Sequence, residues 1–330
     1  RLNSFQALRN LDEEPDTWLA LNQRKLADNS HSIRRLASQH LAQIVVTDSQ
    51  RILPIVLKLL SDTNHLVRIG ALETLGMMRP PAGSALPSVA SALNDKHPLV
   101  RSSAVATLGK YGDAARTSIP ELLSRFKAPD ETAKATFLTA LGQIDPENAS
   151  VIEAGMAGLE SDSKATVIAA AGVLSRTKAY LAPHVDRLLH LMKDRQKRTD
   201  GKIPYLLQKV GPEALPKLIS AHQQGPENLS WVVINVVGSL RGHDVEVPPE
   251  VANQLAPLFT EWFEFNTKVA VFPPDAVRPR IAAAFPALGR IAASEMAYLL
   301  SIQKSKSGAS AFSNRYDQDL LRRAFKKLTE

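Results

Sequence analysis

Cysteine is absent from the 330 residues. That single absence removes disulfides, thiolate metal centres and cysteine nucleophiles. Aromatic residues are scarce, at 5%. The apolar 44% is mainly Ala, Leu, Val and Ile, side chains small enough to let helix axes come close. Long hydrophobic runs are also missing. The longest, from Trp231 to Val237, falls far short of the roughly 20 residues that span a bilayer. No signal peptide is visible. The first residue is Arg1, so a leader or neighbouring domain ahead of it stays open, and so does location: cytoplasmic, or periplasmic or extracellular if a leader was removed.

Catalytic signatures are missing too. There is no HExxH, P-loop, GxSxG or Rossmann fingerprint. The eight histidines form no metal motif, and His184 and His190, six apart, point to different helix faces. No catalytic, metal-binding or cofactor-binding residue is therefore assigned, and no cofactor is expected. A carboxylate pair assembled from distant positions stays open. The formal charge of +7 and a pI of about 9.5 admit nucleic acid or an anionic surface as a partner without arguing a fold.

What is present is repetition. Pro54 opens ILPIVLKLL, followed by Asp62, Arg68 and Gly76; Pro87 opens ALPSVASAL, followed by Asp95, Arg101 and Gly109. Each landmark recurs after 33 residues, a period that marks stacked supersecondary units. The register continues through Pro120, Asp130, Lys134 and Gly142, then to Ser175, and from Pro183 to Pro216. An earlier unit carries Asp28, Arg34 and Ala42. After Gly242 the spacing breaks, with paired prolines in VEVPPE and VFPPDAVRP. Residues 1–242 are read as regular repeats. Residues 243–330 are read as variant repeats with C-terminal capping helices, continuous with the same array.

Each unit reads as a helical hairpin. Val100, Ala104, Leu108 and Tyr111 keep one helical face, and Val67, Ala71, Leu75 and Met78 repeat it. The prolines sit in the first turn of the partner helix, where no amide hydrogen needs a partner. The aspartates are placed to receive amide hydrogens where the second helix starts.

The pattern resembles the HEAT-repeat family, above all the short bacterial HEAT-like form of the phycobilisome-lyase type. The carrying residues are Pro54, Pro87, Pro120 and Pro216, the aspartates Asp62, Asp95 and Asp130, the basic residues Arg34, Arg68, Arg101 and Lys134, and the Leu-Gly pairs at 75–76, 108–109 and 141–142. The resemblance implies an all-α protein, a right-handed α-solenoid of HEAT/armadillo-like hairpins whose second helices line a concave surface. It fixes no single activity, because the family hosts scaffolds, nucleic-acid binders and lyases.

Three sets of residues follow. Asp62, Arg68, Asp95, Arg101, Asp130 and Lys134 form a charged ladder, read as structural because a buried charge must be paired. Gln39, Glu73, Ala106, Thr139 and Gly172, with Gln43, Met77, Lys110, Gln143 and Arg176, share one face of the second helices. They are the candidate site for a partner protein or peptide, with the variant region 243–313 adding specificity; ordinary solvated surface is the competing reading. Lys193, Arg195, Lys197, Arg198 and Lys202, and Arg322, Arg323, Lys326 and Lys327 near the end, are candidate anion-binding clusters or plain solvated charge. The function expected is a non-catalytic interaction scaffold or adaptor. The alternatives are a nucleic-acid-binding or DNA-modifying HEAT-like protein, and a bilin-type lyase.

Overall fold

A computed structural model describes residues 15–44, 49–78, 83–127, 131–177, 181–193, 202–224, 229–240, 247–268 and 323. Every regular element among the described residues is helical. The chain divides into two compact units, Arg1–Thr177 and Lys178–Glu330. The expected change of repeat character at 242/243 lies outside the described residues, and the variant stretch 243–313 is described only over 247–268.

The first unit consists of five hairpins. The first helices are α1 (Pro15–Leu26), α3 (Ser49–Leu59), α5 (Leu86–Ser91), α7 (Ile119–Phe126) and α9 (Ala149–Leu159); the second helices are α2 (His31–Ile44), α4 (His65–Leu75), α6 (Pro98–Tyr111), α8 (Glu131–Ile144) and α10 (Lys164–Arg176). The second helices pack in series, α2 on α4, α4 on α6, α6 on α8 and α8 on α10, and each first helix rests on its own partner. This serial packing makes the unit a helical solenoid. Val67, Ala71, Leu72, Leu75 and Met78 on one seam, and Val100, Ala104, Val105, Leu108 and Tyr111 on the next, are buried. One hairpin cannot cover such a face alone, and stacking covers it on both sides.

Local chemistry sets the helix starts. Pro87 and Pro120 stand second in α5 and α7, and short 3-10 turns at Gly83–Ala85 and Gly112–Ser118 lead in. Pro54 departs from the first-turn expectation, because α3 begins five residues earlier at Ser49. Its ring deprives the Gln50 carbonyl of a helical donor, and both residues are exposed, so water can serve that carbonyl. Capping differs as well. The Asn64 side chain accepts the Leu66 amide at 2.9 Å, and His97 Nδ1 accepts that of Leu99 at 3.3 Å. The caps thus stand two residues after Asp62 and Asp95. Those carboxylates instead accept the amides of Asn64 and His97 themselves, each at 2.8 Å.

The second unit, by itself, contains α11 (Val185–Lys193), α12 (Lys202–Leu207), α13 (Leu215–Gln224), α14 (Ser230–Leu240) and α15 (Pro249–Lys268). α11 packs on α12, α13 on α14, α12 on α14 and α15 on α13. Leu188, Leu206, Leu218, Val233, Leu255 and Phe259 are fully buried. Gly211 turns the chain between α12 and α13 at φ +78°, a conformation that side-chain-bearing residues rarely adopt. Pro216 stands second in α13, as Pro87 does in α5. Among the described residues no helix is long and apolar enough to cross a membrane.

Candidate functional site

Two edges of the first unit carry its polar chemistry: the turns between paired helices, and the outward face of the second helices. At the turns, Arg34 and Arg68 each bridge two repeats. Arg68, in α4, sends Nη1 back to the carbonyls of its own turn, Asp62 at 2.7 Å and Thr63 at 3.2 Å. Its Nε and Nη2 reach the Asp95 carboxylate of the next turn, each at 2.7 Å. Arg34 repeats the arrangement, with Nη1 on Asp28 and Asn29 carbonyls and a fork on Asp62 at 2.8 and 2.9 Å. Arg101 likewise donates to the Asp95 and Lys96 carbonyls; Asp130, the equivalent onward acceptor, lies outside the described residues. The guanidinium is suited to this task, since its five donors lie in one plane and part of them forms a fork matching a carboxylate.

These pairs are largely dry. The side chains of Arg68 and Asp95 are 5% and 14% exposed. Hydrogen bonding from Arg34 holds the Asp62 carboxyl below the usual carboxylate range and raises the Arg34 guanidinium, against the desolvation acting on both. At Asp95 burial pushes upward, yet the Arg68 fork and the His97 amide outweigh it, so that this carboxyl too sits low. Lys134 takes the arginine's register in α8, with its ammonium 6.0 Å from the centre of the Phe126 ring.

A second set of rungs carries no obvious sequence signal. Thr74 Oγ1 donates to the Gly70 carbonyl at 2.7 Å and lies 3.2 Å from the Ser38 carbonyl of the preceding second helix. Thr107, 33 residues on, does the same toward Ser103 and Leu72. Both hydroxyls are buried. The 33-residue recurrence was available in the sequence, but an interior threonine in a helix reads as neutral until its neighbour is known.

The outward face is differently built. Gln39, Glu73, Ala106, Lys110, Thr139, Gln143 and Arg176 are exposed, Gly172 half-buried, and Met77 45% exposed. They lie on five consecutive second helices in the same register, Met77 just past the end of α4, so the structure brings them into one row. The Gln43 side chain lies outside the described residues. Nearer the helix starts the same face shows Leu99, 55% exposed, and Ile168, 43% exposed; Arg35, one turn before Gln39, is exposed as well. Among the described residues Arg35, Lys110 and Arg176 have no ion-pair partner, unlike Arg34, Arg68, Arg116 and Arg125.

Two glycines shape this row. A side chain at Gly76 would meet Lys110 Cδ at 2.9 Å, and one at Gly109 would meet the Gln143 amide oxygen. The stems of Lys110 and Gln143 therefore lie in notches on the preceding helix, which holds them in place. Gly142 has another role: Val173 Cγ2 would stand 2.9 Å from its added carbon, so the notch there is filled by core packing.

An open groove of about 510 Å³ runs between α3 and α5, lined by Leu57, Leu60, Pro87, Ala92 and Ser91 and ending at Asp95. Its one carboxylate is already committed to Arg68. The anion-binding candidates Arg195, Lys197 and Arg198 lie outside the described residues, as do Arg322, Lys326 and Lys327. Lys193 closes α11 and Lys202 opens α12; Arg323 is exposed. Among the described residues no group of three or more His, Asp or Glu could hold a metal ion.

With this geometry in view, likeness to known proteins can be stated. Residues 52–78 and 85–114 match the family model described as HEAT repeat. They contain α4, α5 and α6 and most of α3, and so the clasp between Arg68 and Asp95. Solved structures of importin beta are similar over nearly the whole chain. One, crystallised in a polyethylene glycol condition, covers 97% of this chain and 51% of its own at 12% identity and a TM-score of 0.58. Yeast importin-beta covers 96% and 47% at 12% identity, with a TM-score of 0.51. A structure from work on the interaction between cadherin and beta-catenin covers 96% and 68% at 13% identity and a TM-score of 0.50. At these identities the likeness concerns the fold, and the chain spans about half the length of the importin beta structures it matches. Comparison with curated proteins finds no sequence relative.

Proposed function

We propose, from the premise that this chain is a HEAT-repeat protein, that its first unit is a non-catalytic scaffold presenting the outward face of its second helices to a partner protein or peptide. One observation carries the reading. The same register is exposed on α2, α4, α6, α8 and α10, while the seams beneath it are closed by ion pairs and hydroxyl bonds from α2 to α6 and by close glycine contacts from α6 to α10. A rigid frame with a free, repeated face pays little ordering entropy when it binds. The row mixes apolar, amide and charged side chains, the composition of a protein-docking surface rather than a uniform cationic track for a phosphate backbone. The similar fold of importin beta and beta-catenin supports this reading at the level of architecture.

The test is a triple variant, Lys110→Ala with Gln143→Ala and Arg176→Ala. The tagged wild-type chain and the variant are compared for capture of partners from cell extract, identified by mass spectrometry. Loss of a specific partner with unchanged thermal unfolding is the expected result. Equal capture by both proteins refutes the surface.

A further inference from the structure

The row also specifies what kind of segment fits it, and this step rests on the reading just given. Its free charges are unbalanced. Arg35, Lys110 and Arg176 are exposed on α2, α6 and α10 without a described partner, against one exposed carboxylate, Glu73 on α4. Elsewhere in the unit, four arginines are neutralised within the fold: Arg34 by Asp62, Arg68 by Asp95, Arg116 by Asp145 and Arg125 by Glu121. The exposed cations of the outward face are not neutralised in this way, and neither are the scattered Arg24, Lys58, Lys96 and Lys127, which are exposed elsewhere in the unit.

Lys110 and Arg176 occupy one register, two repeats apart, with α8 between them. Neighbouring helix axes lie roughly 8–10 Å apart, so the two charges are separated by about 16–20 Å. An extended chain rises about 3.3 Å per residue and alternates its side chains between faces. Two carboxylates that point the same way and span that distance are six residues apart, since five would turn one of them away. Between them the chain crosses Gln143, whose amide both donates and accepts and can bond a peptide backbone. Lys110 is positioned by the Gly76 notch, which keeps its stem on α4.

We infer that the face formed by Lys110, Gln143 and Arg176 binds an extended acidic segment of a partner protein, with two carboxylates six residues apart seated on Lys110 and Arg176. Electrostatic pairing of this kind gives specificity and encounter rate more than bulk affinity. A salt-sensitive interaction follows from the exposure of both cations.

The experiment uses the full chain and an array of degenerate peptides. Each peptide carries two glutamates at a fixed separation from two to nine residues, in an otherwise Gly/Ser/Ala-rich sequence; matched peptides carry glutamine instead. A maximum at six, at least five-fold above the glutamine counterpart and lost in Arg176→Gln, is expected. Gly76→Ala is expected to weaken the six-residue peptide while leaving thermal unfolding unchanged, because the added methyl displaces only the flexible Lys110 stem. A flat dependence on separation, or equal signals for Glu and Gln peptides, overturns the inference. So does stronger binding of a twelve-residue oligothymidine than of any peptide. The scaffold reading has its own outcome: if Glu and Gln peptides bind alike, yet the triple alanine variant loses its partner, the docking face stands and the acidic specificity falls.

Discussion

The seams from α2 to α6 and those from α6 to α10 satisfy one spacing by different means. In the first pair, a guanidinium forks onto the next turn's carboxylate and a buried threonine hydroxyl reaches the preceding helix. In the second pair, where Asp130, the acceptor equivalent to Asp95, lies outside the described residues, glycines bring the helices close, as Gly70 also does against Ser38 in the first pair. An added carbon at Gly109 would stand 3.0 Å from Ala140 Cα, and one at Gly142 would stand 3.2 Å from Val173 Cα. A period of 33 residues thus fixes where neighbouring helices meet, not what chemistry holds them. The polar seams gain orientation, since a fork has one geometry. The glycine seams gain closeness, at the expense of helix propensity.

The comparison is broken most forcefully at the clasp. Asp95→Ala leaves the Arg68 guanidinium buried without its carboxylate, which is expected to cost about 3 kcal/mol. Adding Arg68→Met recovers part of the loss, because an uncharged stem of similar length removes the unmet charge. Urea denaturation of the single and double variants measures both. A double variant that is less stable than Asp95→Ala would mean that the pair is held by something other than charge satisfaction.

At the glycine seams the effect is smaller and comes with an internal control. Gly142→Ala forces a methyl against a β-branched side chain and backbone, an overpacking cost of about 2 kcal/mol. Gly172, on the outward face of α10, has no atom within 4 Å of an added carbon. Gly172→Ala is therefore expected to stabilise by roughly 0.5–1 kcal/mol through helix propensity alone. Opposite signs at two glycines 30 residues apart separate packing from propensity; the same sign at both would refute the close approach of α8 and α10.

The repeats were readable because equivalent positions recur, and the helix faces followed from the spacing of Val100, Ala104, Leu108 and Tyr111. The direction of the clasp was not readable. Asp62 stands six residues before Arg68 and Asp95 stands 27 after it, and the arginine uses both: the backbone carbonyl of the first and the carboxylate of the second. Spacing places both within reach and leaves the choice to three-dimensional geometry. The outward row was readable as a set of shared positions. The notches that hold it were not, since Gly76 and Gly109 look alike until Lys110 and Gln143 are seen lying over them, and Gly142 departs from both. Capping was misplaced by two residues because the helices start at His65 and Pro98, so the cap position falls on Asn64 and His97 and the aspartates bond the amides of those capping residues instead.

The smallest expected effect concerns the turn that joins the polar seams. The rings of His65 and His97 are stacked, with centroids 3.7 Å apart and planes within 10° of parallel. The surroundings disfavour a proton on His65, first through desolvation and then through the positive charge of His97 and Arg68; Asp95 pulls the other way, and the net result is a lowered pKa. Lys96 and Arg101 add positive charge in the same turn, and Asp62 lies across from it. A histidine that holds its proton less tightly when folded contributes stability above its ordinary titration range, near pH 6.5. That contribution is lost as the pH falls through the lowered folded value. The carboxylates of Asp62 and Asp95 are also depressed, so their contributions persist until far more acidic conditions. A scan from pH 7.5 to 5.5 therefore isolates the imidazoles. The unfolding temperature of the wild type is expected to drop across that window, and that of His65→Gln to drop less, since glutamine keeps the length of the side chain without the charge. Parallel curves for the two proteins would show that the stack contributes nothing to the pH response.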